Sequence, residues 1–161
     1  MLEEHPLDSA THDRRGFDCG AAALNEYLQR FAEQHRRKGI TSVYVLVDST
    51  APERILGYYT LSAAEVDVAR LADAERKRLP RFPVPCFRMG RLACRLDQRG
   101  RGLGKILIGC AVDRCLKARA QVAAYALIVD AKDPAAKSFY EHFGFKPLTD
   151  RNLTLYLPLG R

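Results

Sequence analysis

The chain has 161 residues, 47 % of them hydrophobic, which suits one domain over 1–161 with enough apolar side chains for a real core. A formal net charge of +7 and a pI near 9.3 make it basic and attractive to polyanions. No apolar run approaches the roughly 20 residues of a membrane span, and the five cysteines form no Cys-x-x-Cys pair, so a membrane span and a thiol redox motif are excluded.

The first twenty residues carry acids, histidines and scattered charges with no apolar h-region, so no signal peptide is expected and a cytoplasmic location is. A weak strand pattern covers 2–9. Gly16–Gly20 reads as a turn and Ala21–Arg37 as a helix whose Leu24, Tyr27, Leu28 and Phe31 recur at helical spacing and face the core. Thr41–Val47 and Ile55–Ala64 read as strands of a hairpin joined by the turn 51–54. Val68–Arg78 reads as a charged helix, and the prolines of 80–85 force an extended run. Cys86–Leu96 follows as a strand, Leu103–Ala118 as a helix, and Val122–Val129 as a continuously apolar, buried central strand. Asp133 and Pro134 supply the N-cap and first position of a helix through His142, with Gly144 set for the C-cap. Leu153–Leu159 closes the chain as a strand. This order implies an α/β fold, a mixed sheet with helices on both faces.

Between the strand ending at Leu96 and the helix opening at Leu103 lies the run Gln98-Arg99-Gly100-Arg101-Gly102-Leu103-Gly104-Lys105. Glycines let the backbone approach a ligand, and a helix N-terminus offers unpaired N–H groups at the positive end of its dipole, so the run suits a phosphate. A P-loop is excluded because Gly104-Lys105 is followed by Ile106 rather than Ser or Thr. A dinucleotide fingerprint is excluded because the glycines are spaced by two throughout. The bland alternative is a loop that merely turns the chain.

Two basic concentrations stand out, His35-Arg36-Arg37-Lys38 and the series Arg70, Arg76, Lys77, Arg78 and Arg81. Arg36, Arg37, Lys38 and Arg78 are candidate nucleic-acid contacts; solvated helix faces are the alternative. The cysteines at 19, 86, 94, 110 and 115 read as small buried hydrophobes in a reducing compartment, and the four scattered histidines suggest no metal site.

Arg99-x-x-Gly102-x-Gly104 resembles the Gln/Arg-x-x-Gly-x-Gly/Ala signature of the GNAT acyltransferases. Ser138-Phe139-Tyr140-Glu141-His142-Phe143-Gly144-Phe145 resembles their second signature, a Phe-Tyr helix ending in Gly-Phe. More specifically, the chain resembles the GNAT toxins of bacterial type II toxin–antitoxin pairs over nearly its full length. The matching pieces are Phe17–Gly20 with Leu24–Leu28, Gly57–Leu61, Leu79–Pro85, Gly90–Ala93, Val129–Asp133 and Leu155–Leu159. One departure is Cys94-Arg95, where the pattern carries Val-Asp.

The resemblance implies a single GNAT domain with a mostly antiparallel sheet, in which the strands Arg88–Leu96 and Val122–Val129 splay apart around the pantetheine arm of acetyl-coenzyme A. It implies that Arg99, Gly100, Arg101, Gly102, Leu103, Gly104 and Lys105 hold the pyrophosphate, that N–H groups near Leu92, Ala93 and Cys94 bind the thioester oxygen, and that Tyr140 is the general acid. A half-buried aromatic is the alternative for Tyr140. Cys94 is expected to be a packed residue, since these enzymes transfer the acetyl group directly. It implies further an aminoacyl-tRNA substrate acetylated on its α-amine to block translation, a ribbon-helix-helix antitoxin and a homodimer. No side chain stands out as a general base; Glu65, Glu141 and His142 are candidates by type only. An α-amine, with a pKa of about 7.7–8.0, needs less help than a lysine at about 10.4. The competing readings are a GNAT enzyme for a small amine or a protein N-terminus, and a basic RNA- or protein-binding module without catalysis.

Overall fold

The computed structural model describes residues 1–160. They cluster into two compact units, one of residues 1–62 with 91–111 and one of residues 63–90 with 112–160. The eight strands make a mostly antiparallel open sheet.

In the first unit, β1 (Leu2–Pro6) pairs antiparallel with β2 (Ser42–Asp48), and β2 with the start of β3 (Gly57–Val66). The weakly patterned N-terminus is thus a real edge strand, held by register rather than by its own composition. The helix expected over 21–37 is present but not uniform. α1 (Ala22–Glu26) and α2 (Ala32–Arg37) are joined by a π-helical turn, Tyr27–Phe31. The wider turn breaks the 3.6-residue phase, so Tyr27 and Leu28 are buried as the spacing predicts while Phe31 is exposed and Ala32 and Glu33 go inside instead. Val43, Val45 and Val47 of β2 present one face to Leu28 and Ala32, with Phe17, Ile55 and Tyr58 completing this core.

The single strand expected over 86–96 is two. β4 (Val84–Met89) ends before Gly90, and β5 (Leu92–Cys94) pairs antiparallel with β3 through Gly57↔Cys94, Tyr58↔Ala93 and Tyr59↔Leu92. A short 3-10 turn, Leu96–Gln98, leads into the glycine run, and α4 (Leu103–Ala118) opens where its sequence signals it.

In the second unit, β4 runs parallel to β6 (Ala126–Asp130) from Cys86↔Ala126 to Met89↔Val129. β6 in turn pairs antiparallel with β8 (Thr154–Pro158), and β8 with the two-residue β7 (Lys146–Pro147). The charged helix expected over 68–78 is only a 3-10 turn, Val68–Arg70, and the four-residue α3 (Asp73–Arg76). Asp67 caps the first, accepting from the Ala69 N–H at 3.0 Å. Cys86, Ile128 and Tyr156 pack on one side of this sheet with Val68 and Leu71, while Leu127, Val129 and Leu155 are buried on the other. Burial on both faces explains why β6 reads as a continuous apolar run.

Candidate functional site

Three local structures carry the residues singled out by sequence. The first is the glycine run. Gly100 and Gly102 take φ +87° and +72°, angles that disfavour any residue with a Cβ, and a Cβ built on either would meet nothing within 4 Å. The first bond of the α4 ladder is from the Ile106 N–H to the Gly102 carbonyl at 3.2 Å. The N–H groups of Gly102, Leu103, Gly104 and Lys105 therefore lie ahead of the ladder, at the positive end of a 16-residue helix. Gly102 has no side chain with which to cap them. The acid nearest in sequence, Asp97, is occupied by Arg54 at 2.5 Å and by Gln98 Nε2 at 3.2 Å, while the Gln98 amide oxygen takes Arg101. Open backbone, unpaired N–H groups, exposed Arg99 and Lys105 and an already engaged carboxylate suit a pyrophosphate.

The second is β5. The bonds Thr60 N–H to Arg91 O at 3.1 Å and Arg95 N–H to Leu56 O at 2.7 Å set the phase of its pairing with β3. Ala93 therefore exchanges its backbone bonds with Tyr58, whereas the N–H groups of Leu92 and Cys94 point to the opposite edge. On that edge β5 has no strand partner among the described residues. Of the three residues named from sequence, Ala93 thus has its N–H committed. The Cys94 thiol is pushed up to about 11 by burial, which leaves it a packed group rather than a nucleophile. All five cysteines are free.

The third is α5 (Pro134–His142). Asp133 caps it, its Oδ1 accepting from the Ala136 N–H at 2.8 Å, and Pro134 occupies the first turn. Gly144, at φ +94°, ends it, with its N–H on the Glu141 carbonyl at 3.0 Å. Phe139 and Phe143 meet edge to face at 5.1 Å, sharing a face as their spacing predicts. Tyr140 is buried between the Phe139 and Phe145 rings, both 5.6 Å away and edge-on, so its ring has a fixed orientation.

The basic candidates behave differently from one another. Glu33, nearly buried, accepts from Arg36 Nη2 at 2.7 Å and Nε at 3.1 Å and from Arg37 Nε at 2.9 Å. These guanidinium bonds, Arg36 first, hold its carboxyl at about 2. Arg36 is thus tied down along one whole edge, Arg37 keeps its outer nitrogens in solvent, and Lys38 is exposed. Arg78 belongs to the other unit, exposed, with its Nε on the Ala74 carbonyl at 3.2 Å. Near it, Arg76, Lys77 and Arg81 border a cleft of about 590 Å³.

Three features were not visible in the sequence pattern. Arg91, which precedes β5, lies flat on the Tyr27 ring at 3.5 Å, and the Tyr27 hydroxyl bonds His35 Nδ1 at 3.0 Å. Lys146 reaches the buried carboxylate of Glu75 at 2.5 Å. Arg88 grips Asp130 with two bonds of 2.8 Å. The pairings of Arg91 with Tyr27, Lys146 with Glu75 and Arg88 with Asp130 join residues far apart in sequence, and no local period signals them. No group of three or more His, Cys, Asp or Glu side chains that could hold a metal forms among the described residues, and no helix there is long and apolar enough to cross a membrane.

Residues 39–147 match the family model described as the acetyltransferase (GNAT) domain. This chain belongs to the GNAT acetyltransferase family. Among GNAT proteins it is 31 % identical to a tRNA-acetylating toxin of Mycobacterium tuberculosis (strain ATCC 25618 / H37Rv), over 86 % of this chain and 81 % of that one. It superposes with a TM-score of 0.91 and 31 % identity on AtaT complexed with acetyl-methionyl-tRNAfMet, covering 98 % of this chain and 95 % of that one. A Tyr→Phe variant of the AtaT toxin, bound to the C-terminus of the antitoxin AtaR and to acetyl-CoA, matches with a TM-score of 0.84 at 29 % identity, over 98 % of this chain and 93 % of that one. The chain is homologous to the toxins of toxin–antitoxin systems.

Proposed function

We propose that this GNAT protein transfers the acetyl group of acetyl-coenzyme A to the α-amine of aminoacyl-tRNA and so blocks translation. The observation that carries the reading is the full-length likeness, at close superposition, to a toxin solved with acetylated methionyl-tRNA.

Bound acetyl-coenzyme A supplies an activated thioester. The N–H groups at the start of α4, with Arg99, Arg101 and Lys105, would hold its pyrophosphate, and the glycines at 100, 102 and 104 would let the backbone approach it. Leu92 and Cys94, whose N–H groups face the unpaired edge of β5, would steady the thioester oxygen as charge develops on it. A tyrosine phenol, with a reference pKa of about 10, carries its proton at neutral pH, and Tyr140 would release that proton from Oη to the leaving sulfur. An α-amine is substantially neutral near pH 8 and so asks little of a general base.

Arg37 and Lys38, with Arg36 fixed beside them, and Arg78 with Arg76, Lys77 and Arg81 around the neighbouring cleft, would meet RNA phosphates. The protein would act in the cytoplasm as a homodimer and be neutralised by a ribbon-helix-helix antitoxin.

The test is a reaction of the protein with labelled acetyl-coenzyme A and total aminoacylated tRNA, beside Tyr140→Phe. Label on the aminoacyl group, reduced at least a hundredfold in the variant, is expected. An unlabelled tRNA pool from a protein that still binds coenzyme A would overturn the substrate and turn the search to small amines and protein N-termini.

A further inference from the structure

The surroundings of Arg95 account for a cation at this position. A buried guanidinium needs acceptors for its N–H groups. Arg95 is 9 % exposed, and its acceptors are backbone carbonyls: Nε donates to Ile55 O at 2.8 Å and Nη1 to Gly16 O at 2.7 Å. The guanidinium also lies over the Phe17 ring, 5.6 Å from its centroid. The main chain repeats the tie, with the Arg95 N–H on Leu56 O and the Leu96 N–H on Asp18 O, each at 2.7 Å. Three segments of the first unit, 14–20, 54–57 and 94–98, thus close on one side chain. An aspartate there could donate to neither carbonyl.

The loop gathered in this way touches the glycine run. Gly20, at φ +85°, passes so close that a Cβ on it would sit 3.2 Å from Arg99 Nη2 and 3.2 Å from Leu96 Cδ1. The backbone of loop 14–20 is therefore the floor against which Arg99 and the turn entering the glycine run rest.

We infer that Arg95 is a positioning residue for the pyrophosphate of the cofactor: its buried fork clamps loop 14–20 under the strand end that feeds the glycine run, and so sets Arg99 and the open N–H groups of α4 for the anion. This rests on the acetyl-coenzyme A reading of that run. Arg95 touches no reacting atom, so its loss acts on binding and not on the chemical step.

The experiment is calorimetry of acetyl-coenzyme A and of acetyl-pantetheine, which lacks the pyrophosphate, on wild type, Arg95→Met and Arg95→Lys, with kcat for aminoacyl-tRNA acetylation at saturating acetyl-coenzyme A. Arg95→Met is expected to raise the Kd of acetyl-coenzyme A about tenfold, the scale of one charged hydrogen bond. Its Kd for acetyl-pantetheine and its kcat should stay within about twofold of wild type. Arg95→Lys, with a point charge in place of a fork, should fall between. A merely structural role would instead lower Tm and the active fraction while sparing the ratio of the two affinities, and that result overturns the inference. Should Arg95→Met not fold, Arg95→Lys decides: a ratio equal to wild type is fatal. If wild type itself binds acetyl-coenzyme A no better than acetyl-pantetheine, the pyrophosphate reading fails and the inference with it.

Discussion

Replacing Gly102 by Ala separates a ligand cradle from a loop that merely turns. The residue sits at φ +72°, so a Cβ there costs about 1 kcal/mol in backbone strain. No atom lies within 4 Å of that Cβ, so no clash adds to the strain. For a chain of this size, 1 kcal/mol lowers Tm by about 3 °C. Ligand binding has no such margin, because the pyrophosphate reading puts a doubly charged group against the N–H groups of Gly102–Lys105. Losing one charged hydrogen bond costs about 1.5–3 kcal/mol, or roughly tenfold to a hundredfold in Kd. Differential scanning fluorimetry with and without acetyl-coenzyme A reads both quantities, since ligand stabilisation grows with the ratio of its concentration to Kd. Gly109→Ala is the control. It lies within α4, with nothing within 4 Å of its Cβ, and should gain up to about 1 kcal/mol without changing affinity. An unchanged acetyl-coenzyme A shift in Gly102→Ala refutes the cradle. A Tm loss above about 10 °C refutes the strain argument.

Lys146→Met should strand the Glu75 carboxylate, which is 3 % exposed and whose second oxygen has no hydrogen-bond partner. Burial pushes this carboxyl up, and Lys146, helped by a backbone N–H and the Tyr156 hydroxyl, more than offsets that and holds it below its ordinary value, so these contacts stabilise the protein above about pH 4.5 and less as pH falls through the lowered folded value. The cost at pH 7 is about 2–3 kcal/mol, below the roughly 3–5 kcal/mol of a fully buried pair broken on one side, because Lys146 is half exposed. It should shrink toward pH 4, where the stranded acid takes a proton; urea melts at the two pH values check this, and an equal loss at both would count against it. Cys94→Ala keeps the backbone N–H that β5 turns to its open edge, so kcat is expected within about threefold of wild type. With its thiol raised to about 11, Cys94 should also resist iodoacetamide at pH 7.5; a hundredfold fall in kcat, or rapid alkylation, would instead point to a covalent route.

Local signals set much of this molecule. Asp133-Pro134 and Gly144 bound α5, and α4 begins and ends at the residues its pattern predicts, because caps, turns and periodicity act within a few residues; the apolar run expected as a strand over 122–129 is one buried on both faces only from Ala126, since Val122 lies exposed in a bend before it. The glycine spacing with Arg99, and the Phe-Tyr helix, were likewise legible as cofactor and acid candidates, since those motifs are contiguous. What the tertiary structure alone decided was pairing across distance. The register of β1 on β2 makes a strand of a weakly patterned N-terminus, and the break at Gly90 hands Leu92–Cys94 to β3 and commits the Ala93 N–H. The π-turn at Tyr27–Phe31 exposes Phe31 against its spacing, and Glu33 draws off Arg36. Arg95 read as a departure from a pattern until its fork met Gly16 and Ile55, carbonyls 79 and 40 residues away. A local pattern carries a residue's preference for helix, strand or turn; which donor meets which acceptor is settled only when the folded chain removes both from water.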